Sequence, residues 1–178
     1  MANAPDRLLT LNASAFQERL RCELLKVYGA WQAAAGTGLE CAEWFGTLAE
    51  AIQAEAPDWP TAVELCRFAF VDRIVVSQPS WASDVLARPS VRTILSYTLA
   101  SLSTVSVSTP AAAKAFFQEM RHALRRSQGF RGQEVMEAIR AALTGTQRGP
   151  CLGIVAALLG LARVQQRLQE QLACLPSS

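Results

Sequence analysis

Residues 139–160, IRAALTGTQRGPCLGIVAALLG, decide how this chain is read. An apolar-periodic run carrying Arg140 ends at Gly145. Glycine at that point is a helix stop, because it enters the left-handed C′ conformation without a Cβ clash. Thr146 to Pro150 form an irregular turn, and a second, almost wholly apolar helix begins near Cys151. Pro150 suits the first turn of that helix, where its missing N–H costs nothing. The segment therefore predicts a tight helix–turn–helix corner that holds two arginines, Arg140 and Arg148. Such a corner presents backbone N–H groups and cations to a partner, or it is simply a packed αα corner.

Outward from the corner, the chain reads as helical throughout. Helix one is expected over 13–35, capped by Asn12 or by Ser14 in a box with Gln17, with Phe16, Leu20, Leu24, Val27 and Trp31 on one face. Gly36-Thr37-Gly38 stops it. A helix over 39–56 follows, capped by Thr37 with Glu40, with Cys41, Trp44, Phe45, Leu48 and Ile52 inward. Pro57-Asp58-Trp59-Pro60 is a break, and helix three is expected over 61–76. Its end, Phe68 to Val76, is either central or runs out extended before Pro79. Ser80 caps a short helix to Ala87, and Pro89 opens another to about Ala100. Ser108 or Thr109 caps a helix that ends at Gly129, and a further one runs from Gln133 to Thr144. The last helix spans 151–173. The composition changes at 101–109, SLSTVSVST, where Ser, Thr and Val disfavour helix. The expected architecture is all-α in two small lobes, residues 1–100 and 110–178, joined by that linker.

The motif at the corner resembles the C-terminal anticodon-binding region of bacterial glutamyl-tRNA synthetases. That family carries a helix ending in Leu-Arg-x-Ala-Leu-Thr-Gly, a short loop, a Pro, and a helix with Leu-Leu-Gly followed by basic residues. Ile139, Arg140, Ala142, Leu143, Thr144 and Gly145 match the first part, with Ile in place of Leu. Gly149, Pro150, Leu152, Leu158, Leu159, Gly160 and Arg163 match the second. Phe116 to Arg131 is compatible with the family's preceding helix. The resemblance implies an all-α cage that holds an unstacked anticodon loop. It implies roles for Arg140, Gln147, Gly149 and Leu152 where the family contacts the first anticodon bases. The partner it implies is tRNA, with tRNA-Glu the candidate species. The family's catalytic His-x-Gly-His and Lys-x-Ser-Lys signatures do not occur in these residues.

Charge points the same way. The net charge of +2 divides into 8 basic and 11 acidic side chains over 1–110, and 9 basic and 4 acidic over 111–178. A basic C-terminal third is what a phosphate-binding surface needs. Arg121, Arg125 and Arg126 lie near the end of their helix, where they either suit its dipole or form a phosphate-contacting strip. Arg148 joins them at the corner.

Other chemistries lack their residues. The single histidine, His122, has only Glu119 at helical spacing, which reads as a surface contact rather than a general base. There is no Gly-x-Ser-x-Gly, P-loop or dinucleotide fingerprint. Cysteines at 22, 41, 66, 151 and 174 are too widely spaced for a zinc site and are expected to be reduced and buried. The start, MANAPDRLL, lacks the order of a signal peptide, and Ile154 to Ala162 is too short to span a bilayer. The reading is a cytoplasmic, non-catalytic tRNA-binding module without cofactor or metal. Two alternatives stand beside it. One is a helical adaptor that kept the fold and lost RNA binding; the other is the anticodon-binding part of a split synthetase. A catalytic synthetase or another protein would then meet the acidic N-terminal lobe.

Overall fold

The computed structural model describes residues 8–29, 41–103 and 109–176. Trp31, the Gly36–Gly38 stop, the Thr37–Glu40 cap and most of the expected linker lie outside them. A short 3₁₀ turn, Leu8–Thr10, precedes eight helices among the described residues. These are α1 (Ala13–Tyr28), α2 (Cys41–Gln53), α3 (Trp59–Phe70) and α4 (Trp81–Leu86), then α5 (Val91–Leu102), α6 (Pro110–Gln128), α7 (Gly132–Thr144) and α8 (Leu152–Cys174). No strand occurs among the described residues, so the all-α reading holds.

Helix α8 is the central post. It packs along α6, α5 and α7 and reaches α2, while α1, α2 and α3 pack on one another and α4 lies against α7. One hydrophobic cluster runs through all of them, from Phe16 and Trp44 to Ile139 and Leu158. Trp44 ties α2 to α8 directly: its indole N–H donates to the Leu158 carbonyl at 2.8 Å. The expected linker sits where α5 passes to α6. Ser101 and Leu102 still belong to α5, and Thr109 caps α6 through its hydroxyl, which accepts from the Ala112 N–H at 3.2 Å.

The caps read from the sequence are largely realised. Asn12, rather than Ser14, accepts from the Ala15 N–H at 2.8 Å. Within the expected break, Asp58 caps α3, accepting from the Thr61 N–H at 2.8 Å. Ser80 and Ser83 form a reciprocal capping box at the start of α4.

Five expectations are corrected in whole or in part. Helix α1 ends at Gly29 (φ 70), before the expected stop. Its buried stripe runs Phe16, Leu20, Leu24 and on to Tyr28, which stacks on Phe70 at 5.0 Å; Val27 is 59% exposed. Helix α3 ends at Phe70 rather than near Val76, and Val71 is extended, in line with the second of the two readings of that stretch. Pro150 lies outside α8, before its N-cap Cys151. Only Cys66 is buried, while Cys22, Cys41, Cys151 and Cys174 are free and exposed.

The early end of α3 has a cause remote in sequence. Three polar side chains one helical turn apart on α8 take the carbonyls that close α3 and follow it. Arg163 donates to Ala69 O (3.4 Å) and Val71 O (3.3 Å), and Gln171 donates to Ile74 O (3.2 Å). Between them Arg167, only 1% exposed, donates to Phe68 O (2.7 Å), to Val71 O and, from its other Nη, to Leu143 O (2.7 Å). A single buried guanidinium thus joins the C-terminal ends of α3 and α7, where the helix dipoles are negative. Burial, with some help from Arg163, lowers its pKa to about 10, which leaves it charged at neutral pH.

Candidate nucleic-acid interface

The corner between α7 and α8 is built from its own polar atoms. Gly145 (φ 69) ends α7 in the left-handed conformation, and its N–H returns to Ala141 O. The Thr144 hydroxyl donates to Arg140 O at 2.9 Å and accepts from the Thr146 N–H at 3.2 Å. The Thr146 hydroxyl donates to Arg148 O at 2.9 Å. Arg140 closes the loop from the other side, its Nη2 donating to Pro150 O at 2.8 Å. Its Nη1 is buried and has no hydrogen-bond partner. Burial lowers the Arg140 pKa, with Cys151 and Glu55 opposing that shift.

Beside the corner lies a cavity of about 380 Å³. Arg140, Gln147 and Leu152 line it, so three of the residues read from the sequence meet in one place. Leu152 is 2% exposed and forms floor rather than rim. Arg148 is exposed on the turn, and Gly149 backs onto Leu65 and Arg140.

The cavity also holds residues that the sequence reading passed over: Trp81, Gln133, Met136, Glu137 and Cys151. Gln133, Met136, Glu137 and Arg140 stand at 3-, 4- and 7-residue spacing on α7. That spacing puts them on one face and was a usable signal. Trp81 comes from α4 and carried none. Glu137 puts a carboxylate into the site, but both its oxygens are engaged. Arg88 donates to one at 2.7 Å and Gln133 to the other at 2.8 Å. These hydrogen bonds, Arg88's foremost, hold its pKa below the ordinary carboxylate value.

The basic residues of α6 do not join the corner. Arg121 lies against Gly132 at the start of α7, where a Cβ on the glycine would stand 2.9 Å from its Cδ. At a rise of roughly 1.5 Å per residue, that end of α7 is about 20 Å from the corner. Arg126 is five residues on, about 140° round the helix axis from Arg121. It lines a separate groove with Tyr97, Ser101 and His122. Arg125 is exposed between them. Among the described residues no group of His, Cys, Asp and Glu could hold a metal ion, and no helix is long and apolar enough to cross a membrane.

Comparison with known proteins shows the family of the chain. Residues 17–172 match the model of the anticodon binding domain family. Over 169 residues the chain is 27% identical to "Glutamate--tRNA ligase 2" of Syntrophus aciditrophicus (strain SB), covering 94% of this chain and 34% of that protein. In fold it is similar to a glutamate tRNA ligase from Elizabethkingia meningosepticum CCUG26117, with a TM-score of 0.73 at 15% identity over 95% of this chain and 30% of that one. The glutamate-tRNA synthetase of Elizabethkingia anophelis gives a TM-score of 0.68 at 16% identity, over 93% of this chain and 29% of that one. The chain thus spans about a third of the length of these relatives. With the match running from α1 almost to the end of α8, this chain belongs to the anticodon binding domain family.

Proposed function

We propose that this chain binds the anticodon loop of a tRNA at the α7–α8 corner and has no chemistry of its own. One observation carries the reading: Arg140, Gln147 and Leu152, three of the residues that the resemblance assigns to the anticodon bases, line one cavity beside the turn that exposes Arg148. RNA loops are read in this way, by splayed bases whose edges meet side chains while cations hold the phosphates. Arg148, exposed on the turn, serves the backbone; Arg140 and Gln147 serve a base; Leu152 and the Gly149 backbone shape the floor. The kinship with glutamate-tRNA ligases makes tRNA-Glu the first species to try. A cytoplasmic setting follows from that partner. The arginines of α6 would meet a different part of the tRNA.

The test is a titration of the purified protein against total tRNA at low and moderate salt, with sequencing of the retained RNA. Salt-sensitive, species-selective retention supports the reading. Absence of binding at low salt, or equal retention of all RNA, would favour the adaptor alternative.

A further inference from the structure

One wall of the cavity is made by Trp81, a tryptophan only partly packed against the core. Of the described tryptophans, Trp44 is 1% exposed and gives its N–H to Leu158, and Trp59 stacks on Phe16 at 5.2 Å with Arg19 above it. Trp81 is different. It is half-buried, and no described aromatic ring stacks on it. Its place is well determined, because the Ser80–Ser83 box fixes the start of α4 and α4 packs on α7. The indole therefore forms a held, half-buried aromatic surface in the same cavity as Arg140 and Gln147.

The chemistry of the walls selects the ligand. Trp81, Met136 and Leu152 are apolar and suit a flat, uncharged ring. An anion is disfavoured there, because Glu137 opens into the same space even with its charge shared with Arg88. An aromatic face together with the amide side chains of Gln133 and Gln147 fits a nucleobase: its π-face takes the indole and its polar edge takes the amides. We propose that Trp81 is the stacking platform for one unstacked base of the bound RNA, and that α4 is thereby part of the recognition site. This rests on the RNA-binding reading of the same corner.

The experiment measures RNA affinity and tryptophan emission for the wild type, Trp81→Ala and Trp81→Phe, beside an alkylation footprint of Cys151. Cys151 is exposed in this cavity, and Cys22, Cys41 and Cys174, exposed elsewhere, serve as internal controls. Stacking of one base on an aromatic ring corresponds to roughly a tenfold loss of affinity on truncation to alanine. Trp81→Ala is expected to show about that loss with an unchanged helical CD spectrum. Trp81→Phe is expected to keep most of the affinity and to lose the RNA-induced quench of emission. Should Trp81→Ala not fold, the quench in Trp81→Phe decides: its disappearance supports the platform, and its persistence overturns it. Wild-type affinity in Trp81→Ala, with Cys151 still protected by RNA, overturns the platform while leaving the RNA reading intact. A wild type that neither binds RNA nor protects Cys151 overturns both.

Discussion

Arg140 and Pro150 are joined across the corner by a side chain to main chain hydrogen bond of 2.8 Å, ten residues apart in sequence. The same residue that lines the cavity also sets the loop in which Gln147 and Arg148 stand. Structure and recognition are therefore coupled in one residue.

Replacing Arg140 should affect both. Arg140→Ala frees the Pro150 carbonyl and is expected to cost about 1–2 kcal/mol of stability besides weakening RNA binding. Arg140→Lys keeps the charge but loses the planar fork, since an ammonium cannot present separate N–H groups to the carbonyl and to a base in the same geometry. It should recover much of the stability and little of the affinity. Denaturant titration beside RNA titration separates the two; equal recovery of both by lysine would contradict a recognition role.

Arg88 should matter through Glu137. The Glu137 carboxyl titrates below 4.5 because Arg88 and Gln133 favour its charged form. A depressed carboxyl contributes stability that is present above the unfolded value, near 4.5, and fades as pH falls through the lower folded value. Arg88→Ala should raise the Glu137 pKa, flatten that acid-side loss, and leave a less compensated negative charge in the cavity. RNA affinity at neutral pH should then fall several-fold. Carboxyl titration by NMR, with binding measured alongside, checks both parts.

Arg148 is the exposed cation of the turn, so its contribution should be electrostatic. Arg148→Ala is expected to lower the slope of log K against log salt by about 0.7, the value for one phosphate contact on a single strand. It should do so without changing which tRNA is retained. An unaltered slope would place Arg148 away from the RNA backbone.

Gly153 sets how closely α6 and α8 approach. A Cβ there would stand 2.9 Å from Lys114 N, Lys114 Cβ and Pro110 O, two of which are backbone and cannot swing aside. Gly153→Ala should destabilise by about 1–3 kcal/mol, as overpacking does, and lower Tm by several degrees. Calorimetry reads this directly, and an unchanged Tm would mean that α6 shifts freely.

Thiol reactivity should separate the cysteines. Burial pushes the Cys66 thiol far up, so it is neutral and shielded in the native state. Cys22, Cys41, Cys151 and Cys174 should react with a thiol reagent before unfolding, and Cys66 only after it. Mass spectrometry of partially labelled protein would show the order.

The legible parts of the fold were those with local causes. Ser80, Thr109, Gly129 and Gly145 each mark a helix boundary where the structure has one. The ends of α1 and α3 were misplaced for two reasons. Gly29 stands one residue before an alanine-rich run that reads as continuing helix, and α3 is stopped by Arg163 and Arg167, which no local window contains. The break inside α8 was also hidden. Gly160 (φ 74, ψ 157) lies in an apolar run whose periodicity passes straight through it. Those angles are open to glycine and strained for other residues. At the site, Arg140, Gln147 and Leu152 followed from the corner itself. Gln133, Met136 and Glu137 were readable from helical spacing, and Trp81 was not, since only the packing of α4 on α7 brings it in.

The Arg167 bridge bears on how this domain can be dissected. Its guanidinium is provided by α8, while its acceptors belong to α3 and α7, on both sides of the α5–α6 passage. A fragment made of residues 109–176 would carry a charged side chain into its interior with only the Leu143 carbonyl left to meet it. Neither half should be stable by itself, yet the two expressed together should find each other, because each lacks what the other supplies. That makes the passage between α5 and α6 a natural place to split the domain into a conditional pair, whose reassembly would restore the corner and, with it, any grip on RNA.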